Sequence, residues 1–525
     1  MIKKLFNNKM WLFIFLNISI SIILYFVNIT LGNIQFGGMD GGVLVNAGWQ
    51  YHLGYKPYTD FITAVPPIFL ILAKIAVDIF GSTWFSFIKL AAIFSFLTFF
   101  LQSSIFYAIG LGTFLSLSTS LFVQSSTILL TNHLWYNQLT SILTVIFLSS
   151  VALFLKKKNS YSILLFFLSL LVLLLGKPNV AGITIILVFL LMLVNKKYRI
   201  LSTLIFILAA LASILLLKLL NIDILVVCFN YLNSSNKVTI VPIILRNLWI
   251  GDHWEVIQSI HFSIPIILVS AHIFLYTYYK NTLVKTYIKN KELALIVVVS
   301  FIVSFVGMST NNDYNLVDLP IFYSLLILFD FLLYKKIKNN IFKRIFIFMI
   351  SISILVLVIQ GLQISIKRTR IAAIGSGSFY EMPIILLNQY YPNNFFKYLR
   401  TGHNLLATIK NIDLSLEVIK KDKRNFKVFI GPRIDFAYAM FDIKPIKGLP
   451  LWWGEGSDSG GVPKGKTTIA LNNLYKTKPL IGIFYDYTFL PSDLINFFEN
   501  NYIKCIIGNL TVYYSKGLKI SCEVN

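Results

Sequence analysis

The sequence predicts an α-helical polytopic membrane protein of about eleven transmembrane helices, ending in a C-terminal extracytoplasmic mixed α/β domain. Three observations predict it. The chain is 57% hydrophobic and 15% aromatic with only 13% charged residues, and its mean hydropathy is +0.74; soluble domains carry about a quarter charged residues. Its apolar residues come in runs of about twenty, enough to cross a hydrocarbon core about 30 Å thick. Beyond residue 365 those runs stop, and short strand-like and amphipathic stretches replace them.

In order, the apolar runs fall near 11–31, 86–106, 111–130, 139–155, 161–175, 179–195, 200–219, 261–279, 293–308, 319–334 and 345–365. The first lacks a small-residue cleavage site and reads as an uncleaved span. A further run, 66–80, opens with Pro66-Pro67 and carries Lys74 and Asp78. If it crossed, every later loop would change sides. Basic residues cluster in cytoplasmic loops, and that rule arbitrates. With the N-terminus in the cytoplasm and 66–80 lying in the outer interface, inner segments hold basic clusters before 11 and at 156–158, 196–199, 280–292 and 335–344. The outer loops then hold only Lys56, Lys74, Lys177, Lys237 and Arg246. The interfacial reading wins.

The expected organisation is a transmembrane module, 1–365, with a first outer loop at 32–85 that includes the interfacial helix 66–80. A second long outer loop spans 220–260, and an extracytoplasmic domain follows at 366–525. That last segment mixes strand-like runs such as Lys427–Ile430 and Leu480–Tyr485 with an amphipathic stretch at 403–420, separated by turns such as Gly454–Gly461. Cys505 and Cys522 are free to pair in an oxidising compartment, but nothing in the sequence requires it. The net charge of +24 is explained by topology, since no basic stripe is interleaved with aromatics, and nucleic acid is excluded as a partner.

The first outer loop is the most informative, running GGMDGGVLVNAGWQYHLGYKPYTDFITAVPP over residues 37–67. Asp40 and Asp60 stand in it among glycines and aromatics. A carboxylate just beyond a span end suits a general base acting on a hydroxyl, and it equally suits a solvated loop or a helix cap. Asp40, the Leu53-Gly54-Tyr55-Lys56-Pro57-Tyr58-Thr59-Asp60 stretch, Pro66-Pro67 and the run ending Phe80-Gly81 together resemble the first outer loop of GT-C glycosyltransferases. These multi-span enzymes include protein O-mannosyltransferases and the aminoarabinose transferases of lipid A. Trp135-Tyr136-Asn137, Gly176-Lys177-Pro178-Asn179 and Asn311–Asn315 before Leu319-Pro320 follow in an order similar to theirs.

The resemblance implies a GT-C-like membrane module acting as an inverting glycosyltransferase. The sugar would come from a polyprenyl-phosphate donor and go to a lipid, glycan or protein acceptor at the outer face of a bacterial inner membrane. Asp40 matches the family's catalytic base, although Gly41 stands where an acidic residue often follows. Asp60 fits the second acidic position of the loop, for acceptor positioning or structural support. His133, Tyr136 and Asn137 are further supporting candidates at a span mouth. Transfer also needs positive charge at the departing phosphate. Lys177, the lone cation of a tiny outer turn, is the first candidate for that role, and Arg246 and His253 the second. For Lys177 the alternative is a snorkelling side chain with no ligand.

No nucleotide-binding loop, dinucleotide fingerprint or zinc spacing occurs, so no cofactor is implied and no metal indicated. Two other functions stay open. A transporter or flippase of lipid-linked glycans predicts broken spans with midplane charges, whereas the mid-span regions here are almost charge-free. The other is a non-catalytic envelope scaffold.

Overall fold

The computed structural model describes residues 8–33, 38–63, 65–131, 133–228, 291–310 and 319–334 of the N-terminal part. In the C-terminal part it describes 403–420, 427–431, 433–451, 466–485 and 491–518, with short pieces at 355, 359 and 394–396 and the two-residue strands β2 (Ile385–Leu386) and β3 (Arg400–Thr401).

The helices follow the apolar runs. In order they are α1 (Asn8–Gly32), α2 (Gly38–His52), α3 (Pro67–Phe80), α4 (Trp84–Ile109), α5 (Thr113–Ser125), α6 (Ile128–Thr131), α7 (Tyr136–Lys157), α8 (Ser160–Leu173), α9 (Pro178–Val194) and α10 (Arg199–Leu219). Two more, α11 (Lys291–Thr310) and α12 (Leu319–Tyr334), complete the described bundle. Among the described residues α1, α4, α7 and α10 are long and apolar enough to cross a membrane, and α8 and α9 are shorter apolar helices.

The bundle has a centre and a rim. α7 is the centre: every side chain from Gln138 to Phe154 is buried, the polar Thr140, Ser141, Thr144, Ser149 and Ser150 included. Thr140, Thr144 and Ser150 donate their hydroxyls to carbonyls one turn back, as Thr144 Oγ1 does to Thr140 O at 2.8 Å, so these three are buried without loss. At the rim, α10 turns Ser202, Ile205, Ala209, Ser213 and Leu217 inward. It exposes Ile200, Leu204, Ile207, Leu208, Leu211 and Leu215. Small residues toward helices and large apolar ones outward is the pattern a lipid solvent selects.

The run expected as one span at 111–130 is broken. α5 ends at Ser125, and α6 restarts at Ile128. The break falls at Gln124-Ser125-Ser126-Thr127: Ser126 N–H still reaches Phe122 O at 3.1 Å, but Thr127 N–H turns to Gln124 O at 3.2 Å while its Oγ1 takes Val123 O. Gln124 instead clamps α4, donating to Thr98 Oγ1 at 2.8 Å and accepting from Ser95 Oγ at 3.1 Å.

The C-terminal part builds a four-stranded sheet from β4 (Val428–Ile430), β6 (Ile481–Phe484), β7 (Tyr502–Ile507) and β8 (Leu510–Ser515), in the order β4-β6-β8-β7. The first pair is parallel and the others antiparallel. The period-2 pattern of β6 divides its neighbours. Ile481 and Ile483 join the large core that includes Ile409, Ile412 and Leu416 of α13 (His403–Lys420). Phe484 packs with Phe429, Phe497, Phe498 and Tyr513 under α15 (Lys466–Thr477) and α16 (Ser492–Asn501). A short helix, α14 (Ala437–Met440), lies between β4 and the two-residue strand β5 (Leu449–Pro450). Cys505 is disulfide-bonded and Cys228 is a free thiol, while Cys522 lies outside the described residues.

The two parts are stitched together. β1 (Phe61–Ile62) pairs in parallel with β5, and Gly448 N–H donates to Asp60 O at 2.6 Å and Leu451 N–H to Ile62 O at 2.8 Å. Trp49 Nε1 reaches Ile443 O at 2.9 Å, and the Tyr55 hydroxyl reaches Pro445 O at 2.9 Å.

Candidate active site

The two ends of the bundle differ in chemistry. At one end gather Lys156–Lys158, Lys196, Lys197, Arg199 and Lys291. Tyr198 joins these segments: its hydroxyl donates to Leu155 O at 3.1 Å, and Lys158 Nζ lies 4.6 Å from its ring centre. Asn195 Nδ2 adds a bond to Glu292 Oε1 at 3.1 Å. At the other end meet the starts of α3 and α7, the α8–α9 turn and the end of α10. Ile68 N–H donates to Leu175 O at 3.1 Å, and the Tyr51 hydroxyl to Leu220 O at 2.6 Å. The candidate site is at this second end.

Lys177 is held tightly there. It is only 7% exposed, as the N-cap residue of α9 with Pro178 following. Its amide donates to Thr140 Oγ1 at 3.1 Å, and its Nζ donates to Asn137 Oδ1 at 2.9 Å. The ammonium also sits 5.5 Å from the ring centre of Tyr136, within range of the negative π face. Gly176 suits this turn, because a Cβ there would stand only 3.0 Å from Leu173 O. Tyr136 and Trp135 pack edge-on against Phe69 of α3. Lys177, Asn137 and Tyr136 therefore form one unit where α7 and α9 begin.

α2 lies against α3 beside this unit. Gly48 makes the contact possible: a Cβ there would stand 2.7 Å from Ala73 O. Asp40 is in the first turn of α2, and its side chain lies outside the described part of the structure. Arg246 and His253 fall outside the described residues altogether, as do Trp249, Trp254 and Asn311–Asn315.

The other sequence candidates are placed as follows. Asp60 ties the first loop to the C-terminal part. It accepts from Lys56 N–H at 3.0 Å and pairs with Lys447 Nζ at 2.9 Å. Partial burial pushes this carboxyl up, but the Lys56 amide and Lys447 outweigh it, and the net shift is downward. His133 is buried, 4% exposed, with its ring 5.8 Å from that of Trp84 and 6.4 Å from that of Trp135. An exposed cluster joins His52 Nδ1 to Asp78 at 2.7 Å, with Lys74 on the other carboxylate oxygen. Among the described residues no group of three or more His, Cys, Asp or Glu gathers to hold a metal ion.

One residue escaped the sequence reading. Asp435, 5% exposed, sits where α2 meets the C-terminal part. Its Oδ2 accepts from Asn46 Nδ2 at 3.5 Å, and its Oδ1 occupies the space beside Gly42, 2.5 Å from where a Cβ would stand. Burial raises its pKa to about 7, against its own backbone N–H and Asn46, which favour the charged form. Nothing around it in sequence marks it.

Comparison with solved structures gives the fold. The chain superposes on the crystal structure of ArnT from Cupriavidus metallidurans bound to undecaprenyl phosphate with a TM-score of 0.52 at 8% identity, covering 98% of this chain and 100% of that one. The chain therefore shares its overall fold with that ArnT structure. Further matches are the apo form of the same ArnT, with a TM-score of 0.48 at 11% identity over 95% of this chain and 97% of that one. Another is the Archaeoglobus fulgidus oligosaccharyltransferase with Zn and sulfate, with a TM-score of 0.44 at 11% identity over 88% and 67%. No family model and no curated protein matches the chain.

Proposed function

We propose that the chain is an inverting glycosyltransferase that takes a sugar from a polyprenyl-phosphate donor at the extracytoplasmic face of a bacterial inner membrane. The observation that carries the reading is the oriented ammonium of Lys177, held by Asn137 and Tyr136 at the same end of the bundle as α2. The fold adds weight, since the ArnT structure that shares it holds undecaprenyl phosphate.

In this reading Asp40 takes the proton of an acceptor hydroxyl as that oxygen attacks the anomeric carbon. The bond from that carbon to the phosphate oxygen breaks, and the electron pair leaves with polyprenyl phosphate. Lys177 meets the charge that grows there, directed by Asn137, with Arg246 and His253 as further donors from the 220–260 loop. Asp60 supports the loop that carries the base. The acceptor is an envelope glycan, a lipid or a protein. The basic cluster at the opposite bundle end, around Tyr198, supports a cytoplasmic location for that end, and the disulfide at Cys505 supports an oxidising one for the C-terminal part.

The test is to reconstitute the full chain in proteoliposomes with labelled polyprenyl-phosphate sugars and envelope lipid, glycan and peptide acceptors. Label appearing on an acceptor, with release of polyprenyl phosphate, supports the reading. Movement of the donor across the bilayer without transfer replaces it with a transporter.

A further inference from the structure

A buried group of side chains joins α2 to the C-terminal part and plays no role in the mechanism above. Gln50 Nε2 donates to Asn46 Oδ1 at 3.1 Å, and Asn46 Nδ2 donates to Asp435 Oδ2 at 3.5 Å. Asn46, Gln50 and Asp435 are each 4–5% exposed. Two atoms of this buried group have no hydrogen-bond partner: Gln50 Oε1 and Asp435 Oδ1. Both are acceptors. Both residues line one small cavity with Tyr438, Ile446 and Leu451. Two buried acceptors without a donor are costly, and a single added proton on one of them supplies the missing donor.

Asp435 has no ion pair among the described residues to favour its charged form. The titratable groups on the elements around it are Asp40, Tyr51 and His52 on α2, Lys427 beside β4, Arg433 and Tyr438 on its own segment, and Asp442, Lys444 and Lys447 before β5. Of these, Tyr438 senses the Asp435 charge, and as a buried phenol with a raised pKa it is no counter-ion.

We propose that Asp435 is a positioning residue that works as the neutral carboxylic acid: its Oδ1–H donates to Gln50 Oε1, closing a ring of three hydrogen bonds that seats the C-terminal part on α2. For its effect on catalysis this rests on the function proposed above, because α2 carries Asp40. The docking itself does not.

Burial raises the docked pKa to about 7, against an ordinary 3.8 in the released segment. Docking is then strongest below pH 4, weakens as pH rises from 4 to 7, and levels off above. Between pH 6 and pH 8 it falls about tenfold.

The experiment is hydrogen exchange of α2 amides in the full-length chain in detergent, from pH 5.5 to 8.5, corrected for intrinsic rates. Wild-type protection is expected to fall about tenfold from pH 6 to pH 8. Asp435→Asn, which keeps the shape and supplies a permanent N–H donor, is expected to hold high protection at every pH. Asp435→Ala is expected to be low throughout. Loss of protection in Asp435→Asn equal to that in Asp435→Ala would overturn the proposal, because the ionised form would then be required. A flat wild-type profile would also overturn it, pointing to a water that donates to both oxygens of a charged pair. These outcomes are read without sugar transfer. If transfer occurs, its rate should follow the wild-type protection curve and lose that pH dependence in Asp435→Asn; transfer indifferent to protection would sink the catalytic part alone.

Discussion

Lys177 Nζ donates to Asn137 Oδ1 at 2.9 Å, joining the α8–α9 turn to the first turn of α7 across 40 residues of sequence. A charged donor on an amide oxygen is a directed bond, and the Tyr136 ring lies 5.5 Å from the same ammonium. Lys177→Met is expected to lower kcat/KM for the lipid donor by about 10²–10³, the usual cost of losing one donor to a developing anion. Asn137→Ala, which frees the ammonium without removing it, is expected to cost about tenfold or less. Initial rates against donor concentration check both.

Glycine positions offer a contrast. Ala at Gly48 must displace α2 from Ala73 O and Val77 of α3, contacts of 2.7 and 2.9 Å from the new Cβ. Gly48→Ala is expected to destabilise the fold by about 1–3 kcal/mol. Gly182, within α9, has nothing within 4 Å of an added Cβ. Gly182→Ala is expected to be neutral or stabilising by up to about 1 kcal/mol. Thermal unfolding in detergent measures the difference.

Asp60 sets an acid limit on the join between the first loop and β5. Its carboxyl is held below the ordinary aspartate value of 3.8. The folded state therefore keeps the charge to lower pH than the unfolded chain. The stabilisation is complete above the ordinary value and is lost as pH falls through the lowered one. Lys447 is 60% exposed in this pair, so its share is only about 0.2–1 kcal/mol. Asp60→Asn is expected to lose that amount near neutral pH and progressively less as pH falls below the ordinary aspartate value, in a double-mutant cycle with Lys447→Met.

How much of this the sequence discloses depends on the range of each signal. The helices are disclosed by apolar length, and Lys177 by being the one basic residue of the short turn between two apolar runs, both local signals. The break of α5 at Ser125 is visible only afterwards, because hydroxyls in apolar runs are as often buried in intact helices, as Thr140 and Thr144 are in α7. Asp435 was out of reach. Its partners Asn46 and Gly42 lie about 390 residues away, and an aspartate in Arg433-Ile434-Asp435-Phe436 looks like any surface acid until the fold buries it. The pairing of β1 with β5 was hidden for the same reason, since two-residue strands carry no periodicity.

The most direct measurement compares wild type with Asp40→Asn in proteoliposomes holding labelled polyprenyl-phosphate sugar and acceptor. The account predicts that Asp40→Asn binds the donor as wild type does, yet transfers sugar at least about 10²-fold more slowly, as expected when a general base is removed. Transfer at the wild-type rate by that variant would contradict it.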